Sequence, residues 1–152
     1  MLLGSILLAL ASEPIVTIRS PEELKLKRGG SSETSIEISV RDGFHVQANP
    51  AANQFLIPLT ISVESNEALK VGRPRYPPPT RYRLEGTEED LLVYGGVIKV
   101  PFTIQSSGST PPHLHELQGK LKYQACDDRS CRPPATAPFE LKVRVLPRRA
   151  GK

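Results

Sequence analysis

An all-β fold is what this sequence predicts, and three observations predict it. Hydrophobic residues alternate with polar ones through most of the chain, the pattern of strands with one buried and one wet face. Proline is abundant, at fifteen of 152 residues beside eleven glycines, and each proline inside a helix would remove a hydrogen bond and clash with the preceding turn. Turn-rich clusters break the alternating runs at short intervals: Arg28-Gly29-Gly30-Ser31, Asn49-Pro50, Pro77-Pro78-Pro79, Ser106 to Pro112 and Arg132 to Pro138. Long helices are thereby excluded. With 38% apolar and 24% charged residues, the chain can bury the core of one domain.

The elements follow in order. Val16 to Arg19 and Leu24 to Lys27 are short candidate strands, and Ile36, Ile38 and Val40 hold one parity in SIEISV. Phe44 to Val46 is another short candidate. Phe55, Ile57, Leu59, Ile61 and Val63 share a parity, so a strand is expected across 55–63. Arg81 to Leu84 is short; Ile98, Val100, Phe102 and Ile104 make a longer run, and Leu117, Leu121 and Tyr123 lead into the cysteines. Phe139, Leu141, Val143 and Val145 alternate with Glu140, Lys142 and Arg144. Pro58 and Pro101 fall inside these runs, which predicts edge strands or bulges there. Seven to nine short strands with such turns fit an immunoglobulin-like antiparallel β-sandwich.

The two ends read differently. Leu2 to Ala11 is apolar, and Ala9-Leu10-Ala11 is an A-x-A cleavage pattern before Ser12. Residues 1–11 are therefore expected to be a secretory signal peptide, the alternative being a buried first strand. No Lys or Arg precedes the apolar stretch, so the peptide is expected to be truncated at its N-terminus. It falls short of the roughly 20 apolar residues that span a bilayer. A domain over 12–146, outside the cytoplasm, and a basic frayed tail over 147–152 complete the expected organisation.

Lys and Arg number 20 against 16 Asp and Glu, a net charge of +4. Aromatics are 5% with no Trp, so stacking platforms for single-stranded bases are scarce, and no nucleic-acid-binding signature occurs. Nucleic acid is excluded as the expected partner. The basic segment from Lys70 to Arg83 reads as a solvated loop.

Cys126 and Cys131, in YQACDDRSCRPP, are the only cysteines. In an oxidising compartment such a pair is expected to be disulfide-bonded. As a staple it would close a six-residue loop, worth about 2 kcal/mol in the chain-entropy model. An inter-sheet bridge of the antibody type would need a larger separation and a Trp. A short-range bridge beside a turn is more exposed and more readily reduced, which suits thiol exchange; spacing alone leaves staple and exchange both open. Asp127 and Asp128 would raise a neighbouring thiol's pKa and Arg129 would lower it. Parity turns Cys126 away from the face that carries Leu121 and Tyr123. This is not a thioredoxin CxxC, and no helix follows to stabilise a thiolate.

YQACDDRSCRPP with the preceding GKLKY resembles the active-site hairpin of the N-terminal domain family of the thiol:disulfide interchange protein DsbD. DGFHVQANPAANQFLIPLTISVE resembles that family's upstream strand pair, and EEDLLVYGGVIKVPFTI its loop and following strand. The likeness runs from about Thr34 to Val145 in the family's order. It implies an immunoglobulin-like periplasmic domain that takes electrons from a thioredoxin-like domain and passes them to oxidised proteins through mixed disulfides. Carried over by position, Cys126 and Cys131 are the redox pair, with Cys131 the partner in mixed disulfides. A shielding cap loop maps to Asp90, Leu91, Leu92, Val93 and Tyr94; where the family can carry a Phe, this chain has Val93. Phe44, His45, Asp127 and Asp128 are expected around the pair. The family's membrane and thioredoxin-like domains do not occur in these 152 residues, which implies a separate donor, a membrane electron carrier among the candidates.

Competing readings are weaker. His113 and His115 with the two cysteines could form a tetrahedral zinc site, but their spacing fits no standard motif and secreted thiols usually oxidise. His45 could pass a proton beside the pair or simply be a half-buried strand residue. There is no G-x-S-x-G for a hydrolase. The expectation is thus a monomeric protein-disulfide reductase component that needs no cofactor or metal. The alternative is a non-catalytic sandwich with a fixed clip.

Overall fold

The computed structural model describes residues 12–149; the expected signal peptide and the last three residues of the basic tail lie outside the described residues. Twelve strands and no helix occur among them. β1 (Val16–Arg19), β2 (Leu24–Lys27), β3 (Ser31–Val40), β4 (His45–Gln47), β5 (Thr60–Val63) and β6 (Leu69–Val71) form the first half. β7 (Thr80–Arg83), β8 (Asp90–Tyr94), β9 (Val97–Ser106), β10 (Leu114–Tyr123), β11 (Ala125–Cys126) and β12 (Ala135–Leu146) form the second. The excess over seven to nine comes from short pieces such as β6 and β11, too brief to show alternation.

Two four-stranded sheets, ordered β1-β3-β9-β6 and β2-β12-β10-β5, make the sandwich. Ile36, Ile38 and Val40 of β3 and Val100, Phe102 and Ile104 of β9 meet Leu117 and Leu121 of β10 and Leu141, Val143 and Val145 of β12 in one core. Burying each such side chain stabilises by about 1.5–3 kcal/mol relative to leaving it exposed. Pairing is antiparallel except between β2 and β12, where Leu24 lies beside Val143 in parallel register. At Gly119, opposite Phe139, a Cβ would run into the Phe139 ring. The ring thus occupies the space that the glycine leaves.

Two local expectations give way. The run 55–63 becomes a strand only from Thr60, because Pro58 has no N–H to give a ladder and Ile57 donates its N–H to Gln124 Oε1 at 2.9 Å instead. Phe55 consequently stands 82% exposed. Pro101 sits in β9 between two neighbours, where an edge strand or a bulge is expected. Its carbonyl accepts from Arg75 N at 2.9 Å on the side away from β3. In an extended strand the nitrogen of the same residue faces the same way, so the missing donor takes no bond from the β3 ladder. β6 covers only Ile104 to Ser106 on that side.

A third sheet, ordered β11-β4-β8-β7, stands at one end of the sandwich. β11 follows β10 after a single residue, Gln124, and β8 turns through Gly95-Gly96 into β9, with Gly96 at φ +65°. Only glycine adopts that angle without strain. The small sheet is therefore tethered to both layers.

Candidate functional site

Strand alternation gives the small sheet two different faces. Ala125, Val46, Tyr94 and Leu92 point into the main core. In the cross-strand register Cys126 lies beside His45, Gln47 beside Val93, Val93 beside Thr80 and Leu91 beside Tyr82. These residues share the opposite face. Cys126, Gln47, Leu91 and Val93 on it are all at most 4% exposed, yet none belongs to the main hydrophobic cluster. They form a separate buried layer around the disulfide.

Cys126 and Cys131 are bonded to each other, their Cα atoms 3.9 Å apart. Parity does turn Cys126 off the core face. The exposure expected of a bridge beside a turn is nevertheless confined to one partner: Cys126 is 1% exposed, while Cys131 is half-buried. The loop between them is closed on itself, with Asp127 N donating to Ser130 O at 2.9 Å. Asp127 Oδ1 accepts from the N–H groups of Arg129 and Ser130 at 2.9 and 2.7 Å. Those two backbone bonds, more than the nearby Arg132, hold the Asp127 carboxyl below its ordinary pKa. The Asp128 carbonyl accepts from Glu85 N at 3.1 Å, which joins the cysteine loop to the turn between β7 and β8.

The loop's exit is also anchored. Arg132 N donates to Ala125 O at 2.8 Å, and the Gln124 amide donates to Arg132 O at 3.3 Å. The guanidinium groups of Arg41 and Arg132 lie 4.7 and 5.1 Å from the centre of the Phe44 ring, within cation–π range. Phe44 thereby links the start of β4 to the segment after Cys131.

His45 stacks obliquely on Tyr82, ring centres 4.5 Å apart across the intervening β8, and its Nδ1 is buried without a hydrogen-bond partner. Gln47 is fully buried. Its Nε2 donates to Cys126 Sγ at 3.1 Å and reaches Cys131 Sγ at 3.9 Å, while its Oε1 is buried and unpartnered. Gln47 is absent from the sequence expectations. The available signal was its parity: a polar side chain two residues after His45 in a strand shares His45's face.

The segment expected as a cap loop, Asp90 to Tyr94, is strand β8, held between β4 and β7. Its alternation decides this: Leu91 and Val93 face the disulfide layer, and Leu92 and Tyr94 face the core. Tyr94 is fixed there by its hydroxyl, which donates to Pro77 O at 2.8 Å, and burial pushes its pKa up. Asp90 pairs with Arg83 at 3.1 Å on the surface.

His113 and His115 do not join the cysteines. They lie at the far end of β10, about 30 Å of strand away at ~3.3 Å per residue. Their rings stack 4.1 Å apart, and His113 Nδ1 and His115 Nε2 lie on the carbonyls of Leu114 and Pro111. No metal-ligating cluster occurs among the described residues, and the sulfurs are committed to their disulfide. The four-ligand zinc arrangement is overturned by this placement.

The family described as "Thiol:disulfide interchange protein DsbD, N-terminal" matches residues 17–142. No curated protein matches the chain significantly. Among solved structures, the N-terminal periplasmic domain of ScsB from Proteus mirabilis is similar at a TM-score of 0.58 and 12% identity, over 91% of this chain and 49% of that one. The chain thus spans about half the length of that structure, and the likeness at this identity is one of fold. The ASH / PapD-like domain of human CEP192 shows a TM-score of 0.44 and 14% identity over 97% of this chain and 99% of that one. For the SrpA adhesin from Streptococcus sanguinis the values are 0.40 and 15%, over 90% and 60%. No helix among the described residues is long and apolar enough to cross a membrane.

Proposed function

We propose that this chain, which belongs to the family of the N-terminal domain of the thiol:disulfide interchange protein DsbD, relays reducing equivalents outside the cytoplasm through Cys126 and Cys131. A thioredoxin-like protein or domain is the donor and oxidised extracytoplasmic proteins are the acceptors. The observation that carries the reading is the asymmetry of the bridge: Cys126 is buried on the inner layer, whereas Cys131 is only half-buried. A staple has no use for that difference, whereas exchange needs one sulfur within in-line reach.

The chemistry balances as a two-electron transfer. A donor thiolate attacks Cys131 Sγ, the Cys126–Cys131 bond breaks, and its electron pair leaves on Cys126. The donor's second thiolate then displaces Cys131 and closes the donor's own disulfide. Two protons end on the two cysteines of this domain. In the second half-cycle the Cys131 thiolate attacks an acceptor disulfide, and Cys126 resolves the mixed disulfide to restore the starting bridge. His45, Phe44, Asp127 and Asp128 frame these steps, and β8 with the β7–β8 turn shields the inner sulfur from stray thiols.

Trapping tests the reading. Cys126→Ser should leave Cys131 able to attack a thioredoxin-like partner's disulfide and hold it as a stable mixed disulfide, since no resolving thiol remains. Cys131→Ser should trap poorly, because the remaining thiol is buried. Equal trapping by both variants on non-reducing gels would remove the role of Cys131. A wild-type reduction potential below about −300 mV, with no trapping, would make the bridge a fixed clip.

A further inference from the structure

A fully buried glutamine against a disulfide is chemically odd. Disulfide sulfur is a weak acceptor, and a buried amide oxygen without a donor is left with its desolvation uncompensated. Gln47 carries both features: its Nε2 is spent on Cys126 Sγ at 3.1 Å, and its Oε1 is sealed from solvent with nothing to accept. Nothing in the fold of β4 requires an amide there, for Val93 opposite it is apolar. The site is unsatisfied as it stands, in the oxidised form.

We propose that Gln47 is a further catalytic residue of the exchange reaction, holding the Cys126 sulfur as the disulfide opens and biasing the pair toward its reduced form. This rests on the exchange reading above and assigns the group that receives the leaving sulfur. When a thiolate attacks Cys131, the electron pair of the broken bond settles on Cys126 Sγ. That sulfur is then an anionic acceptor, and a hydrogen bond to it is roughly twice as strong as a neutral one. Gln47 Nε2 is already in place, so no rearrangement precedes the step. Once Cys126 takes up its proton, the thiol S–H can donate to Gln47 Oε1 and fill its vacant acceptor. Both polar ends of the amide are satisfied after reduction, whereas only one is engaged before it.

The test compares redox equilibria with a dithiol of known potential, using the 152-residue chain and Gln47→Met and Gln47→Leu, two side chains of similar bulk that lack the amide. Losing the amide should lower the equilibrium constant for reduction about fivefold to tenfold, a shift of roughly 20–30 mV toward more negative potential. It should also slow attack on Cys131, since the leaving sulfur is less stabilised. An unchanged potential in a variant that melts like the parent would overturn the proposal. The wild-type protein supplies a second readout that needs no variant: the Gln47 side-chain amide resonances should shift and exchange more slowly on reduction. Resonances indifferent to redox state would overturn it equally. A shifted potential without partner trapping would refute the relay and leave Gln47's effect standing, whereas trapping with an unshifted potential would do the reverse.

Discussion

At the scale of single residues, the loop between the cysteines depends on Asp127. Its carboxylate gathers the N–H groups of Arg129 and Ser130, and those bonds hold its pKa down. A carboxyl whose folded pKa is depressed stabilises the fold fully above its unfolded value near 3.9 and loses that contribution as the pH falls through the folded value. Acid should therefore loosen this loop, below roughly pH 4. Asp127→Ala removes the same bonds at every pH, so at neutral pH its disulfide should be reduced severalfold faster by a small phosphine. The ratio of variant to wild-type rates should then fall toward one as the pH drops through the carboxyl's titration. A ratio independent of pH would show that the loop is held by other contacts. Residues of this kind differ in how far the sequence exposes them. The cysteines stand out by number and spacing, and Phe44 and His45 through a resemblance of sequence blocks. Gln47 does not stand out, because its importance comes from a register between β4, β8 and β11 that joins residues about 80 apart in the chain.

At the scale of elements, alternation locates a strand wherever the chain lets a ladder form. β1 and β2 coincide with their apolar runs, and β3, β9, β10 and β12 contain theirs. The departure at 55–59 has a local cause: periodicity persists through Pro58, but Pro58 has no N–H and Ile57 gives its own to Gln124 Oε1, so the ladder begins only at Thr60. Asp90 to Tyr94 was ambiguous for a different reason. Five residues that alternate can serve either as a lid or as a strand, and here they are a strand with one face on the core and the other on the disulfide layer. The faces can be separated by experiment. Leu92→Ala, on the core side, should cost about 2 kcal/mol and leave the rate of reduction by a small thiol unchanged. Val93→Ala, beside Gln47, should cost roughly 1–2 kcal/mol and speed reduction severalfold by opening the layer over Cys126. Equal reduction rates for both variants and the parent would remove β8 from the shielding of the disulfide.

At the scale of the whole molecule, the proposed relay requires a domain that keeps its shape with the bridge open as well as closed. The architecture places the bridge apart from the core. The core between the large sheets draws most of its side chains from β3, β9, β10 and β12, with Val46, Tyr94 and Ala125 added from one face of the small sheet, while the disulfide sits on that sheet's other face, outside the core cluster. The bridge closes a loop of only six residues, so it restricts the unfolded chain little. Opening it should cost about 2 kcal/mol in the chain-entropy model. For a domain of this size that corresponds to a fall in melting temperature of roughly 5–10 °C, with a single cooperative transition retained. Beside the bridge, Asp127, Gln124 and Arg132 hold the same loop by hydrogen bonds. Thermal melts of the oxidised chain, the reduced chain and a Cys126→Ser, Cys131→Ser double variant provide the measurement. The reduced and double-serine forms should unfold together, roughly 5–10 °C below the oxidised form. A reduced form that loses its tertiary signal at room temperature would mean that the bridge holds the fold, and a domain that unfolds when reduced could not present Cys131 to an acceptor.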